Sequence, residues 1–258
     1  MNATAHRFVR RNSFQGAYQI LQYNRRLYVT ALLLVIGGLV FLWIGDGPWW
    51  VNSAVIAVIS ATIFWSVSSL LVSHYVYDRS GLYRFDWLKG LFKLEPRRWA
   101  NIHAGLDETS IVLRNLFPKS TWQVLDIYDA QTITEPSIKR ARMITTSEVL
   151  ARPASYHSLL LDDASCDTVF VIFTAHELRQ AEARRAFFSE LHRVLESCGS
   201  VILVEHLRDL ANLIAFGPGF WHFLPRNEWL NAARKAGFAV VAEIKITPFV
   251  RAFHFGRR

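Results

Sequence analysis

Two long apolar stretches near the N-terminus constrain this chain more than any other feature. Residues 27–44 contain no charged side chain, and neither do residues 51–75, which end beside His74. A helix rises about 1.5 Å per residue, so roughly 18 to 25 residues cover a hydrocarbon core about 30 Å thick. Only Gly45-Asp46-Gly47-Pro48-Trp49-Trp50 separates the two runs, a tight turn with a Trp pair of the kind that sits at a membrane interface. The expectation is a transmembrane helical hairpin over residues 27–77, preceded by a basic segment over 1–26. A buried helical hairpin of a water-soluble protein is the alternative. The length of both runs, the Trp residues at the turn and the flanking arginines argue against it.

The charges give the expected orientation. Arg7, Arg10, Arg11, Arg25 and Arg26 precede the first run; Arg79, Arg84, Lys89, Lys93, Arg97 and Arg98 follow the second. The connecting turn has neither Lys nor Arg, so both ends should face the cytoplasm and the hairpin tip outward. That makes the chain an expected multi-pass protein of the cell inner membrane. A cleaved signal peptide is not expected, because the apolar runs are too long and a second follows at once. The net charge of +8 and pI near 9.8 sit largely beside the runs, where anionic lipid headgroups attract them. The expected partner is therefore membrane lipid and not nucleic acid. Residues 78–98 mix Leu82, Tyr83, Phe85, Trp87 and Leu88 with basic residues and form an amphipathic juxtamembrane connector. Such a segment either lies among headgroups or packs on the domain that follows. Cys166 and Cys198 are far apart and suggest neither zinc nor a disulfide; both are expected to be buried small residues.

From residue 99 to 258 the pattern alternates between strand and helix. Asp107 is placed to cap a short helix over 111–117 that ends before Pro118. Residues 122–128 read as the first central strand, and 135–142 as a helix with Pro136 in its first turn. Residues 167–173 read as a second buried strand, followed by an amphipathic helix over 180–196 capped by Gly199. A third strand spans 200–205, and a helix over 228–236 ends at Gly237. Two last strands cover 239–246 and 250–255. Alternating β and α units with nearly continuous apolar strands predict an α/β fold, a mostly parallel sheet with helices on both faces.

Three groups of residues then resemble a known family. They are Leu161-Asp162-Asp163-Ala164-Ser165-Cys166-Asp167-Thr168-Val169 with His176-Glu177-Leu178, the run 191–206 ending in Val204-Glu205-His206, and the tail Ala236-Gly237-Phe238 at a helix end. Together they resemble the second half of a class I S-adenosylmethionine-dependent methyltransferase over about residues 120–258. The resemblance implies a Rossmann-like sheet with an antiparallel last strand and S-adenosylmethionine as cofactor. It implies that Asp126, with Tyr128 and Asp129, binds that cofactor. The glycine-rich loop that the family places after its first strand is absent from Asp126-Ile127-Tyr128-Asp129-Ala130-Gln131. The stretch from Asp126 to Asp167 is also too short for two further βα units, so one unit is expected to be missing or shrunken. Glu148 is the candidate for the ribose-binding acid of the lost unit.

Open α/β sheets bind ligands beyond the carboxyl ends of their strands. His176 and Glu177 stand there after the 167–173 strand, His176 placed to take a proton from an acceptor hydroxyl and Glu177 to orient it. Structural hydrogen bonds are the plainer reading for both. Glu205 and His206 occupy the same position after the next strand, and the loop Gly217-Pro218-Gly219-Phe220-Trp221-His222-Phe223 brings Trp221 and His222 as candidates to line an acceptor pocket. The loop serves equally well as packing. The histidines show no metal-ligand spacing, and no metal is expected. The predicted function is a membrane-anchored, S-adenosylmethionine-dependent methyltransferase with a small amphipathic or lipid-like acceptor at the cytosolic face. A catalytically inactive membrane scaffold or assembly partner of the same fold is the alternative. A nucleic-acid methyltransferase is disfavoured, since no Asn/Asp-Pro-Pro-Tyr/Phe motif occurs.

Overall fold

The computed structural model of the protein describes residues 12–45, 47–88, 90–92, 94–144 and 149–257. After a short helix α1 (Gln15–Tyr23), the apolar runs form α2 (Arg25–Ile44) and α3 (Trp49–Ser73). Both are apolar all round, so neither has a stripe that would seat it against a core with the other side in water. They pair antiparallel, with Tyr28 Oη 2.9 Å from Ser69 Oγ and Gly38 lying against Ile59, where a Cβ would come within 2.8 Å. Apart from the part of α3 that meets α1 and α7, their remaining surface is largely bare: α2 buries no residue, and Trp43 and Trp49 at the turn are 86% and 81% exposed. That burial excludes the core-hairpin alternative within this chain. Both helices are long and apolar enough to cross a membrane. Unpartnered apolar area on this scale marks a surface meant for lipid or protein.

Seven strands build one sheet: β1 (Arg98–His103), β2 (Thr121–Asp126), β3 (Arg152–Pro153), β4 (Cys166–Ile172), β5 (Leu195–His206), β6 (Phe238–Thr247) and β7 (Val250–Arg257). Their spatial order is β3-β2-β1-β4-β5-β7-β6. β1 to β5 pair in parallel, and β7 enters antiparallel between β5 and β6, as the family resemblance implied. The connecting helices are α4 (Ser110–Leu116), α5 (Pro136–Ile144), α6 (Ala181–Val194), α7 (Leu210–Phe216) and α8 (Arg226–Lys235).

The sheet is covered on both faces, but unequally. On one face α6 and α8 bring Phe187, Phe188, Leu191 and Trp229 onto Val169 and Val201, all fully buried. On the other face the juxtamembrane connector does this work. It continues α3 as a π-helical turn (His74–Arg79) and then forms 3-10 turns at Leu82–Arg84 and Asp86–Leu88. Val76, Leu82, Phe85 and Leu88 are buried against Trp99, Phe170, Ile202 and neighbouring residues. At about 1.5–3 kcal/mol per large apolar side chain, this burial anchors α3 in the domain's own core. Of the two readings of the connector, packing on the domain is the one observed.

Several expectations need correction. The first strand of the sheet is β1, not the 122–128 run, which forms β2 one place further out. β1 escapes notice because Asn101 and His103 interrupt the apolar run expected of a central parallel strand. The Asn101 amide donates to Thr109 Oγ1 at 2.9 Å and Ser110 Oγ at 2.7 Å, so the buried polar group is matched to the start of α4. The expected shrunken unit is that of β3: the strand is only two residues long, and no helix follows it before β4. Glu148, the ribose candidate, lies outside the described residues. Gly199 does not cap a helix: α6 stops at Val194, and Gly199 lies within β5 beside the irregularity between the Cys166 and Thr168 pairings. Cys166 is buried as expected, but Cys198 is exposed.

Candidate active site

The carboxyl ends of β1 and β2 make one half of the site. After β1 the chain turns through Gly105 at φ +100°, a conformation that favours glycine. A Cβ there would meet the Arg142 side chain at 2.7 Å. Asp107, expected as the cap, lies two residues before the actual N-cap Thr109; its Oδ1 accepts from the amides of Thr109 and Ser110 at 3.1 and 3.0 Å and shapes the turn into α4. Asp126 ends β2. Its carboxylate accepts from the Tyr128 amide at 3.0 Å and pairs with Arg142, whose guanidinium lies 4.3 Å over the Tyr128 ring. His103 Nδ1 accepts from the Gly105 amide at 3.1 Å, and its Nε2 is buried without a partner. Burial pushes the His103 pKa down, against the pull of Asp107 and Asp126. Asp129, the second expected cofactor carboxylate, is instead held in its own exposed turn, where it accepts from Gln131 N and Thr132 Oγ1.

The ends of β4 and β5 make the other half, and they gather charge. His176 and Glu177 sit on the 3-10 turn Ala175–Glu177 directly after β4, and Glu205 lies near the end of β5. His176 Nδ1 is 2.7 Å from Glu205 Oε2, and its Nε2 is 3.2 Å from Glu177 Oε1. The His176 amide also donates to Glu205 Oε1 at 3.2 Å. Burial alone would depress the His176 pKa, but the Glu205 and Glu177 carboxylates outweigh it and hold it up to about 10. Glu177 is shifted the opposite way: burial would raise it, yet His176 and His222 keep it well below the usual carboxylate range. An imidazole held protonated at neutral pH donates protons, so the structure does not support His176 as a general base in this state. Glu177 Oε2 is buried with no partner.

His222 closes the cluster from the loop after α7. Its Nε2 lies 3.8 Å from Glu177 Oε1, and its Nδ1 3.3 Å from Glu135 Oε1. Burial lowers its pKa, but the bonds to Glu135 and Glu177 prevail and raise it. Glu135 was read only as part of a helix start, and nothing in its sequence surroundings separated it from other surface acids. Two arginines hold the loop. Arg179 donates to the His222 carbonyl, and Arg208 donates to the carbonyls of Phe223 and Trp221 at 2.8 and 2.9 Å. Trp221 itself is exposed, with Arg208 5.0 Å over its ring.

His206 is not available to a substrate. Its Nδ1 bonds the Phe249 carbonyl at 3.0 Å, its Nε2 lies 2.9 Å from Tyr77 Oη, and its ring stacks on Phe173 and Phe223. Burial pushes its pKa down to about 4, so the ring is neutral and ties the connector to the end of β5. The roof formed by α7 and the turn Gly217–His222 rests directly on α3: Gly217, at φ +53°, sits where a Cβ would come within 2.5 Å of the Trp65 ring. The same roof exposes Leu210 and Ile214 beside Trp221.

Comparisons with known proteins agree with the fold. The family model described as "Methyltransferase domain" matches residues 121–203, from β2 into β5. That match and the fold support the class I S-adenosylmethionine-dependent methyltransferases. No curated protein sequence matches the chain. A SAM-dependent methyltransferase from Aquifex aeolicus superposes with a TM-score of 0.53 at 18% identity, covering 70% of this chain and 94% of its own. A protein from Pyrococcus horikoshii OT3 gives 0.52 at 17% identity, over 71% and 95%. Geranyl diphosphate C-methyltransferase from Streptomyces coelicolor A3(2) gives 0.52 at 12% identity, over 74% and 84%. At these identities the likeness is one of fold, the Rossmann-like methyltransferase fold.

S-adenosylmethionine is the cofactor that the family match and the fold support. The residues present fit it at the β1–β2 edge once the Arg142 side chain moves aside: a glycine turn whose Cβ position only that flexible side chain fills, a carboxylate ending β2, and an unpartnered buried imidazole nitrogen between them. Arg142, a side chain of α5, lies in that cradle. With β1 as the first strand, the turn that follows it carries a glycine, Gly105, where the sequence pattern pointed to the stretch after Asp126.

Proposed function

We propose that the protein is a membrane-anchored, S-adenosylmethionine-dependent methyltransferase that takes an amphipathic, lipid-like acceptor at the cytosolic face. The observation that carries this reading is the contact of Gly217 with Trp65. It makes the wall beside His222 and Glu177 continuous with an apolar helix, so an acceptor dissolved in lipid reaches the site without crossing water. Arg25 and Arg26 before α2 and Arg79 and Arg84 after α3 support a cytoplasmic location for both ends.

Asp126 would hold the cofactor's ribose hydroxyls, and the Gly105 turn would admit its approach to the backbone. Bound there, the cofactor supplies a methyl group already activated on a sulfonium. The protein's share is then mainly positioning. Glu177 accepts a hydrogen bond from an acceptor hydroxyl and orients it, while His176 and His222 keep that carboxylate ionised and in place. With its pKa held low, Glu177 is a weak base. The exposed Leu210, Ile214 and Trp221 would guide the apolar part of the acceptor toward the loop.

Calorimetric titration of S-adenosylhomocysteine into the detergent-purified chain, beside Asp126→Ala, tests the cofactor half. Micromolar binding lost in the variant is expected. Transfer of tritiated methyl into a membrane lipid extract then tests the acceptor half. One observation favours a catalytically inactive scaffold: Arg142 already occupies Asp126 and covers the Gly105 turn. Failure of the folded wild-type chain to bind the homocysteine product would establish that second reading over the first.

A further inference from the structure

The cluster at the ends of β4 and β5 is arranged more particularly than an ion-pair network requires. Each of its two histidines turns Nδ1 outward to a carboxylate of its own, His176 to Glu205 at 2.7 Å and His222 to Glu135 at 3.3 Å. Each turns Nε2 inward to the same oxygen, Glu177 Oε1, at 3.2 and 3.8 Å. The second Glu177 oxygen is buried and unpartnered. Outer carboxylates on Nδ1 fix the tautomer and leave Nε2 as the electron-pair donor, the second sphere that metal-ligating histidines almost always have.

We propose that His176 Nε2, His222 Nε2 and the Glu177 carboxylate form a mononuclear site for a divalent transition metal, with Zn2+ as its natural probe. The three ligand atoms lie within 4.8 Å of one another. Tetrahedral zinc with bonds of about 2.0–2.1 Å sets its ligands roughly 3.4 Å apart, so closure needs a movement of about 1 Å by the His222 loop. Two nitrogens and one carboxylate are a borderline donor set that suits zinc and iron better than calcium or magnesium. Three protein ligands leave a further position for water or an acceptor oxygen, and the open side is that of His222. Its side chain is 29% exposed, against 11% for His176 and 2% for Glu177.

Charge complementarity supports the same occupant. Three carboxylates, those of Glu177, Glu205 and Glu135, lie on the two histidines, and a divalent cation held between the Nε2 atoms would offset their charge. The other charged groups facing it are Arg179, which bonds the His222 carbonyl, and His206, which is neutral. Binding must release protons, and affinity must rise with pH by roughly 10- to 100-fold per unit while they leave.

The site is independent of the methyltransferase reading, because metal binding can be measured without cofactor or acceptor. Zn2+ is titrated calorimetrically into the chelator-treated, detergent-purified full chain at pH 7 and 8, in buffers of different ionisation enthalpy. Co2+ absorption reports coordination. One equivalent bound micromolar or tighter is expected, with one to two protons released. His222→Ala, on the open side of the cluster, should lose at least 50-fold in affinity, and Glu177→Gln likewise. His157→Ala, a histidine distant in sequence and outside the cluster, should bind as wild type. Thermal melts establish that each protein is folded, and if Glu177→Gln does not fold, His222→Ala decides alone. No binding by the folded wild-type chain at pH 8 overturns the site, and so does binding that His222→Ala leaves unchanged. Loss of S-adenosylhomocysteine binding with Zn2+ binding intact would sink the enzyme reading and leave the metal site standing.

Discussion

At the end of β2 the Asp126 carboxylate meets Arg142 at the protein surface, while at the end of β5 the Glu205 carboxylate meets His176 in full burial. The two pairs occupy equivalent places in the sheet and do different work. Arg142 is 36% exposed and sits on a short helix, so its pair is solvent-screened and can open. Glu205 and His176 have no water to fall back on, and neither can lose its partner without leaving a buried charge unpaired. The first pair can therefore open in solvent, whereas the second keeps its partners as long as the cluster is metal-free.

The sharpest way to break this contrast is Glu205→Ala. The variant should lose about 3–5 kcal/mol of stability in denaturant unfolding, the usual cost of stranding one member of a buried pair. A loss below about 1 kcal/mol would mean that the cluster is not ionic. The next effect is on pH dependence, where His176 and His206 act with opposite sign. His206 is buried neutral with its pKa pushed down to about 4, below the unfolded value near 6.5. Its contribution is present above about pH 6.5 and is lost as pH falls toward 4. His176, raised to about 10, contributes fully below about pH 6.5 and loses that contribution as pH rises toward 10. The depressed Glu177 adds to the acid limb, since its contribution is lost as pH falls below its unfolded value. Melting temperature should therefore peak near neutral pH and fall on both sides. His206→Gln should flatten the acid limb only, and a variant that flattened the alkaline limb would reverse the assignment.

The same contrast explains what the sequence disclosed. Strands β4 and β5 are continuous apolar runs followed by acid and histidine, so Glu177, Glu205 and His176 could be placed at the sheet's working edge from pattern alone. Their mutual pairing could not, because it depends on the parallel register of two strands and on a loop that folds back from residue 222. β1 was missed for the opposite reason. Its polar Asn101 is satisfied by Thr109 and Ser110, partners that lie beyond a turn and do not show in periodicity. That omission moved the first-strand assignment from β1 to β2 and hid Gly105 as a turn at the end of the first strand. The apolar helices were legible in full, since length and composition suffice for them, whereas the role of the connector as one wall of the core required the sheet it covers.

On the surface side, Arg142→Ala sharpens the comparison. If Asp126 is held in reserve by a displaceable cation, removing that cation should raise affinity for S-adenosylhomocysteine several-fold in calorimetry. The change in stability should stay within about 1 kcal/mol, because the lost pair is partly exposed. Weaker binding would instead make Arg142 part of the cofactor's own contacts.

Asp129→Ala carries the smallest expected effect and discriminates between two carboxylates only three residues apart. Asp126 ends a strand, points its oxygens at Arg142 and the Tyr128 amide, and borders the Gly105 turn. Asp129 is fully exposed, and its carboxylate is held below the usual range by the Gln131 amide first and the Thr132 hydroxyl second. A carboxylate committed to its own turn is oriented by that turn and not toward the strand end where the cofactor would lie. Asp129→Ala should bind S-adenosylhomocysteine as wild type does and melt at the same temperature, while Asp126→Ala loses binding. Equal losses in both variants would show that the cofactor reaches past the strand end into the 129–132 turn, and the boundary between the exchangeable and the permanent charges would have to be redrawn one turn further out.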